Sequence, residues 1–110
     1  MLFLVEMDHV KSGIPPTTEE ARRFIERIVF PTLAQGEQLV AEKKIIAGGP
    51  VAGRIADRFI LDVNSPQEVD RIVSGLSFWP VAETKVTPLI AFADRREYIK
   101  TLLNTISKDQ

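Results

Sequence analysis

The chain has 110 residues, of which 45% are hydrophobic and 26% are charged, and its formal net charge is −1. This length accommodates one domain with one modest core, and a nearly neutral charge offers no attraction to nucleic acid or to an acidic membrane surface. Because there is no cysteine, disulfides, thiolate nucleophiles and thiolate metal sites are excluded.

The first predicted element is a strand over residues 2–7. The opening MLFLVEMD has too short an apolar run for a secretion signal and carries acid where a basic segment is required, so we expect a cytoplasmic protein. The segment VKSGIPP follows His9 and predicts a turn-rich loop, because Gly13 and the two prolines cannot continue a strand ladder.

A long first helix is predicted next, ending at about Lys43. Thr17 and Glu20 have the spacing of a capping box. Apolar or small residues then recur every three or four positions along one stripe: Ala21, Ile25, Val29, Leu33, Gly36 and Val40. Pro31 lies inside this pattern and removes a backbone hydrogen bond. We therefore expect a kink over residues 27–31, or a helix in two pieces.

Two further strands are predicted after this helix. The glycine-rich segment KKIIAGGPVAG suits a bulged or edge strand. The segment RIADRFILDV, residues 54–63, alternates in polarity, so Phe59, Leu61 and Val63 share one face and should pack under helices.

A second helix and a last strand complete the core of the predicted fold. Ser65, Pro66 and Glu68 are typical of a helix N-terminus with a capping box. The buried face of that helix is predicted to be Val69, Ile72, Val73 and Leu76. The last strand is predicted over residues 81–88, with Glu83 and Lys85 on the face opposite Ala82, Thr84 and Val86.

This order of elements, βαββαβ, predicts an α+β fold of the ferredoxin-like kind, a four-stranded antiparallel sheet with both helices on one face. The strand parities leave a mixed set of residues on the other face: Leu4, Glu6, Arg58, Ile60, Glu83 and Lys85. Such a face is well explained if two sheets pack around a partly polar cavity. We therefore expect a homodimer or a larger homo-oligomer, with a small-molecule ligand in the cavity.

The whole chain is predicted to be one domain, with a core over residues 1–90 and a C-terminal helix over residues 91–110. Asp94 with Glu97 predicts the start of that helix. Its apolar stripe is Tyr98, Ile99, Leu102, Leu103 and Ile106. Since the helical face of the sheet is already covered, we expect this stripe to dock on a partner subunit.

Charged residues of the open sheet face are the first catalytic and binding candidates. Glu6 could act as a general base, because desolvation in a cavity raises a carboxyl pKa toward neutrality. The alternative is a salt bridge from Glu6 to Arg58 or Lys85 across the interface between subunits. Arg58 could hold a substrate carboxylate with its bidentate guanidinium, and Glu83 and Lys85 could complete the site. The alternative for this last pair is an exposed cross-strand charge pair.

Three further residues are candidates near the ends of the first and last strands. His9, the only histidine, could be an acid/base group at the cavity mouth, and its alternative is a solvated loop residue. Phe78 and Trp79 could wall the pocket against an unsaturated ring. Their alternative is packing between helix and strand or between subunits.

No cofactor or metal is expected from the motifs. The pair Gly48-Gly49 has neither dinucleotide nor phosphate-loop spacing. One histidine without cysteine shows no metal-ligand spacing, and no Ser-His-acid signature is present.

The opening MLFLVEM and above all SGLSFWPVAETKVTPL, residues 74–89, resemble muconolactone delta-isomerase over roughly residues 1–90. The resemblance implies ferredoxin-like subunits that form dimeric α/β barrels and larger rings. It also implies a cofactor-free isomerase that moves a proton within an unsaturated lactone in aromatic catabolism. The family pattern has a histidine and then a basic residue where this chain has Leu4 and Glu6, and a Trp-Arg pair with a nearby histidine where it has AGGPVAG.

Two other classes of function stay open. One is another activity of the same barrel, such as a cofactor-free monooxygenase or a lyase related to the YCII-like proteins, because one fold hosts many chemistries. The other is a non-catalytic ligand-binding or assembly protein. The altered pocket residues favour the non-catalytic class, and a retained polar site around Glu6 and Arg58 would count against it.

Overall fold

The structure is a computed structural model, which describes residues 1–11 and 15–108. Along these described ranges lie four strands and four α-helices, with a π-helical turn and a 3₁₀ turn between them. In chain order the elements are β1 (Leu2–His9), α1 (Thr18–Phe24), the π turn (Ile25–Val29), α2 (Phe30–Ala41), β2 (Ile45–Pro50), β3 (Ala56–Asp62), α3 (Pro66–Ser74), the 3₁₀ turn (Trp79–Val81), β4 (Ala82–Leu89) and α4 (Phe92–Lys108).

The four strands form one antiparallel sheet in the order β2-β3-β1-β4. This topology confirms the predicted ferredoxin-like α+β fold. Strand β2 lies at an edge and has a bulge between Ile45 and Ala47, as its glycines indicated. β1 runs two residues further than predicted, to His9, and the loop prediction at Gly13 lies outside the described residues.

The core lies between the helices and one face of the sheet. Alternation along β1 and β3 sends every second side chain to this face, which explains the buried set Phe3, Val5, Met7, Phe59, Leu61 and Val63. Val69, Val73 and Leu76 of the α3 segment cover it, with Ile72 partly buried. The predicted inner faces of β3 and α3 are therefore confirmed, and no helix of the described residues covers the other sheet face.

The predicted break in the first helix is confirmed, and it takes the form of a π turn. The Phe30 N–H donates to the Ile25 carbonyl, five residues back, immediately before Pro31, which has no N–H to donate. The second piece ends at Ala41, two residues earlier than predicted. Lys43 follows with a left-handed φ of 62°, a conformation that terminates the helix.

Serine and threonine caps start two of the helices as predicted. Thr17 Oγ1 accepts from Glu20 N–H and Ser65 Oγ accepts from Glu68 N–H, both at 3.1 Å. The reciprocal half of the Ser65 box differs from the prediction, because the Glu68 carboxylate accepts from Asn64 N–H. This hydrogen bond is the main cause that lowers the pKa of Glu68.

The prediction that Asp94 caps the C-terminal helix is wrong. α4 begins at Phe92, and the Ala91 carbonyl accepts from the N–H groups of both Asp94 and Arg95. Asp94 instead lies in the first turn, where its negative charge interacts favourably with the positive end of the helix dipole.

α4 projects from the rest of the molecule. The chain extends 70 × 28 × 23 Å with a radius of gyration of 18.8 Å, whereas a compact chain of this length has a radius of about 13 Å. No α4 residue is buried, and its predicted apolar stripe is exposed, with Tyr98 62%, Leu102 42% and Ile106 49% accessible. Within the described ranges, every helix is too short or too polar to cross a bilayer.

Candidate functional site

One connected group of charged side chains lies on the open sheet face. Arg58 Nε is 3.6 Å from Glu6 Oε2, and Arg58 Nη2 donates to the two carboxylate oxygens of Asp8 at 3.1 and 3.0 Å. Arg54 also donates to Asp8, at 2.7 Å. The structure thus shows the ion pair between Glu6 and Arg58, within one chain, and the Arg58 guanidinium is shared by two carboxylates. A role of either residue toward substrate stays a prediction.

Glu83 and Lys85 lie beside this group, at the β4 edge of the same face. In the strand register Lys85 is opposite Glu6, and Glu83 is opposite Asp8. Both side chains are exposed, and neither forms an ion pair within residues 1–11 and 15–108. The structure therefore brings four of the predicted site residues together, and their contact with a ligand stays a prediction.

His9 lies on the opposite side of the sheet from Glu6. It is half-buried between two aromatic rings, with centroid distances of 5.0 Å to Phe24 and 6.2 Å to Phe78. Its Nδ1 is buried and has no hydrogen-bond partner among the described residues. The structure does not bring the two predicted catalytic residues together. Phe78 is 3% exposed and belongs to the core, whereas Trp79 is 45% exposed in the 3₁₀ turn.

A pocket of about 370 Å³ lies between α2 and the β2–β3 edge of the sheet. Leu33, Leu39 and Val40 line it from the helix, and Ile45, Pro50 and Phe59 line it from the sheet. Glycines form part of both walls, Gly36 on the helix and Gly48 and Gly49 on β2. A Cβ added at Gly36 or Gly49 would meet no atom within 4 Å.

A smaller lobe of about 160 Å³ adjoins this pocket. Both lobes share Thr32, Leu33, Pro50 and Asp57. The smaller lobe continues toward Phe24 and Phe78, the two rings that contact His9. Two-lobed apolar clefts of this size are typical of small-molecule sites.

Asp57 is the acidic residue common to both lobes. Its cross-strand partner is Met7, which is fully buried, so Asp57 faces the helix-covered side of the sheet. Burial raises the pKa of the Asp57 carboxyl above its ordinary value of 3.8, and the neighbouring Arg58 guanidinium lowers it by a smaller amount. The carboxylate has no hydrogen bond or ion pair to any residue that the structure describes. It is therefore free to accept a proton from a ligand.

Asp57 was missed as a candidate from the sequence, although a signal was present. In RIADRFILDV it has the same parity as Phe59 and Leu61, the residues predicted to be buried. A carboxylate at an inward position of a strand is costly unless it is paired or lies at a cavity. The pocket itself could not be predicted from the sequence, because the direction in which α2 crosses the sheet is what brings Thr32 and Gly36 near the strands.

The described residues contain no group of three or more His, Asp or Glu side chains placed to hold a metal ion. The pocket offers one half-buried carboxylate, a threonine hydroxyl and apolar walls. Such a set can move a proton on a small carbon acid with these side chains alone, because a carboxylate in apolar surroundings is a stronger base than one in water.

Comparison with known proteins agrees with this fold. The structure of muconolactone isomerase is similar, with 22% identity and a TM-score of 0.66 over 83% of this chain and 90% of that one. The 5-chloro-2-hydroxyhydroquinone dehydrochlorinase of Burkholderia phenoliruptrix AC1100, solved with 2,5-dihydroxybenzoquinone, has 24% identity and a TM-score of 0.60 over 86% of this chain and 98% of that one. At these identities the two structures establish the fold.

A search of curated proteins gave no significant match. The family model described as muconolactone delta-isomerase matches residues 1–95, which include all four strands and the three helices of the core. The chain belongs to the muconolactone delta-isomerase family.

Proposed function

We propose that this chain is a cofactor-free enzyme that shifts a proton within a small unsaturated lactone or a related ring compound, in aromatic catabolism. The observation that carries the proposal is the Asp57 carboxylate, unpartnered within the described residues and shared by both lobes of an apolar pocket. Family membership supports the same reaction class.

The proposed reaction needs one base that first takes and then returns a proton. Asp57 removes a proton from a ring carbon next to the double bond, and the electron pair enters the conjugated carbonyl to give a dienolate. The protonated Asp57 then delivers the proton to the other end of that system, so the double bond moves and no atom is lost. The raised pKa of Asp57 favours both steps, because proton transfer is most efficient when the pKa of the acid/base group approaches the working pH.

A second candidate is elimination of a leaving group from a ring, favoured by the dehydrochlorinase of the same fold. It begins with the same proton abstraction. The proton then stays on Asp57 while the electron pair forms a double bond and the leaving group departs. The two reactions therefore differ in the substrate and share the residue that we propose as the base.

Proton NMR of the purified protein with muconolactone in deuterated water tests the proposal. Exchange of a ring proton together with movement of the double bond is expected. Exchange without isomerisation would establish a working base and favour the elimination alternative. Absence of both, with muconolactone and with neutral unsaturated lactones, would contradict the proposed function.

Glu6 and Arg58 remain candidates for a site between two sheets, and that site requires a second copy of the chain. We propose a homodimer or larger homo-oligomer, supported by the exposed apolar stripe of α4 and by the mixed open sheet face. The whole stripe lies beyond residue 95, where the family match ends. Burying such a stripe against a second copy stabilises the oligomer by about 25 cal/mol for each Å² of apolar surface removed from water.

Replacing Leu102 and Ile106 by lysine is expected to dissociate this oligomer. Two buried apolar side chains contribute about 3 kcal/mol or more per copy, so the dissociation constant should rise at least about 100-fold. Light scattering measures the mass, and circular dichroism checks that the fold persists. Thr101→Lys places one such charge on a side of α4 away from the stripe and should leave the mass unchanged. A wild-type monomer, or an oligomer insensitive to the double change, would contradict the assigned interface.

A further inference from the structure

The lining of the pocket carries an excess of negative charge. Two acidic residues line the larger lobe, the exposed Glu37 and the half-buried Asp57, and its described lining contains no lysine, arginine or histidine. The smaller lobe adds Arg54. That guanidinium is 60% exposed and bound to Asp8 at 2.7 Å, so its charge is already matched by a carboxylate. The charges of the lining therefore disfavour binding of an anion.

An anionic ligand would meet two costs in this pocket. Its charged group would lose its hydration on entering a pocket whose apolar walls are formed by residues such as Leu33, Val40 and Phe59. It would also approach ionised Asp57, and like charges in a poorly solvated site repel more strongly than in water. An uncharged ring avoids both costs, and its carbon atoms are covered by the same apolar walls.

The pocket also provides a group for one neutral oxygen. Thr32 lines both lobes together with Asp57. Its hydroxyl oxygen is buried and has no partner among residues 1–11 and 15–108. A buried hydroxyl without a partner is costly to the fold, and a rotation about its side chain would allow it to donate to a carbonyl oxygen of the ligand.

We propose that this pocket selects an uncharged unsaturated ring, a neutral lactone or enone, over a ring that carries a carboxylate. The proposal rests on the proposed function for the location of the site, and it adds the charge class of the substrate. It follows that muconolactone, which carries a carboxylate, should react more slowly in this chain than its neutral ester.

Binding of a matched, unreactive pair tests the charge preference separately from the reaction. The saturated analogue of muconolactone cannot isomerise, and its methyl ester differs from its carboxylate mainly in charge. Dissociation constants of both are measured by titration of amide NMR shifts at neutral pH. The ester is expected to bind about tenfold tighter or more, and the preference should shrink in Asp57→Asn and at high salt, because the discrimination is electrostatic.

The outcomes test the charge preference and the proposed reaction separately. Equal binding, or tighter binding of the carboxylate, would overturn the charge preference. In that case loss of carboxylate binding in Arg54→Gln would assign recognition of the anion to Arg54. Failure of both compounds to shift the amides of the pocket would also overturn it. If the ester binds preferentially but no lactone exchanges protons in deuterated water, the ligand class stands and the proposed reaction falls.

Discussion

Asp57→Asn is expected to lower the rate of proton exchange into the substrate by about 10²- to 10⁴-fold, the usual contribution of a general base. Asparagine keeps the shape of the side chain and removes its basicity. KM for a neutral lactone should change little, because the amide still occupies the wall that both lobes share. The measurement is kcat and KM for ring-proton exchange by NMR.

The same substitution is expected to stabilise the fold at neutral pH. The pKa of Asp57 is raised in the folded state above 3.8, so folding favours its protonated form. The contribution of Asp57 to wild-type stability is therefore greatest below pH 3.8. It falls as pH rises through the pKa of Asp57 in the folded state, and it stays reduced above that pKa. Denaturant unfolding as a function of pH should show that the advantage of Asp57→Asn grows through this window. A functional carboxylate that costs stability is a common trade-off.

Wild-type activity should follow the same titration. The value of kcat/KM is expected to decline as pH falls through the pKa of Asp57, above the pH at which an ordinary aspartate titrates. Two control variants separate the rival bases. Asp70→Asn removes an exposed carboxylate of α3 and should leave exchange unchanged. If Glu6→Gln abolished exchange while Asp57→Asn retained it, the open sheet face would be the site.

The sequence allowed the fold to be predicted nearly completely because its local and global signals agree. The alternation around Phe59 and Leu61, the caps at Thr17 and Ser65, and the glycines of β2 each indicated the element that forms. The discrepancies lie at element ends. Asp94 was predicted to cap α4, but the backbone carbonyl of Ala91 already accepts from the first free N–H groups.

The candidate pocket could not be predicted in the same way, because it depends on packing between distant parts of the chain. Glu6 and Arg58 were predicted to share a sheet face and to pair across an interface, and they pair within one chain because their strands are adjacent. The approach of Thr32 to Asp57 depends instead on how α2 leaves the π turn and crosses the sheet. Side-chain parity shows which face Asp57 occupies, and it does not show that an unfilled space lies there.

Gly48→Ala is expected to destabilise the protein by about 3 kcal/mol or more. Gly48 has φ +92°, and a Cβ there would lie 2.2 Å from the Arg58 carbonyl oxygen and 2.6 Å from the Phe59 Cα. An L-residue with left-handed φ costs about 1–2 kcal/mol, and crowding against backbone adds about 1–3 kcal/mol. Since the obstructing atoms are backbone, relief requires β2 to move away from β3. The measurement is the free energy of unfolding from denaturant titration.

Gly49→Ala is the matched control for this effect. A Cβ added at the adjacent Gly49 meets no atom within 4 Å, and Gly49 has no left-handed φ, so its variant should lose no stability. Comparable destabilisation of both variants would show that loss of chain flexibility, and not the close approach of two backbones, explains the glycine pair. Because β2 forms one wall of the pocket, the Gly48 variant should also lose ligand binding. Gly49→Ala should retain binding, since Gly49 pairs with Arg58 on the other face of the sheet.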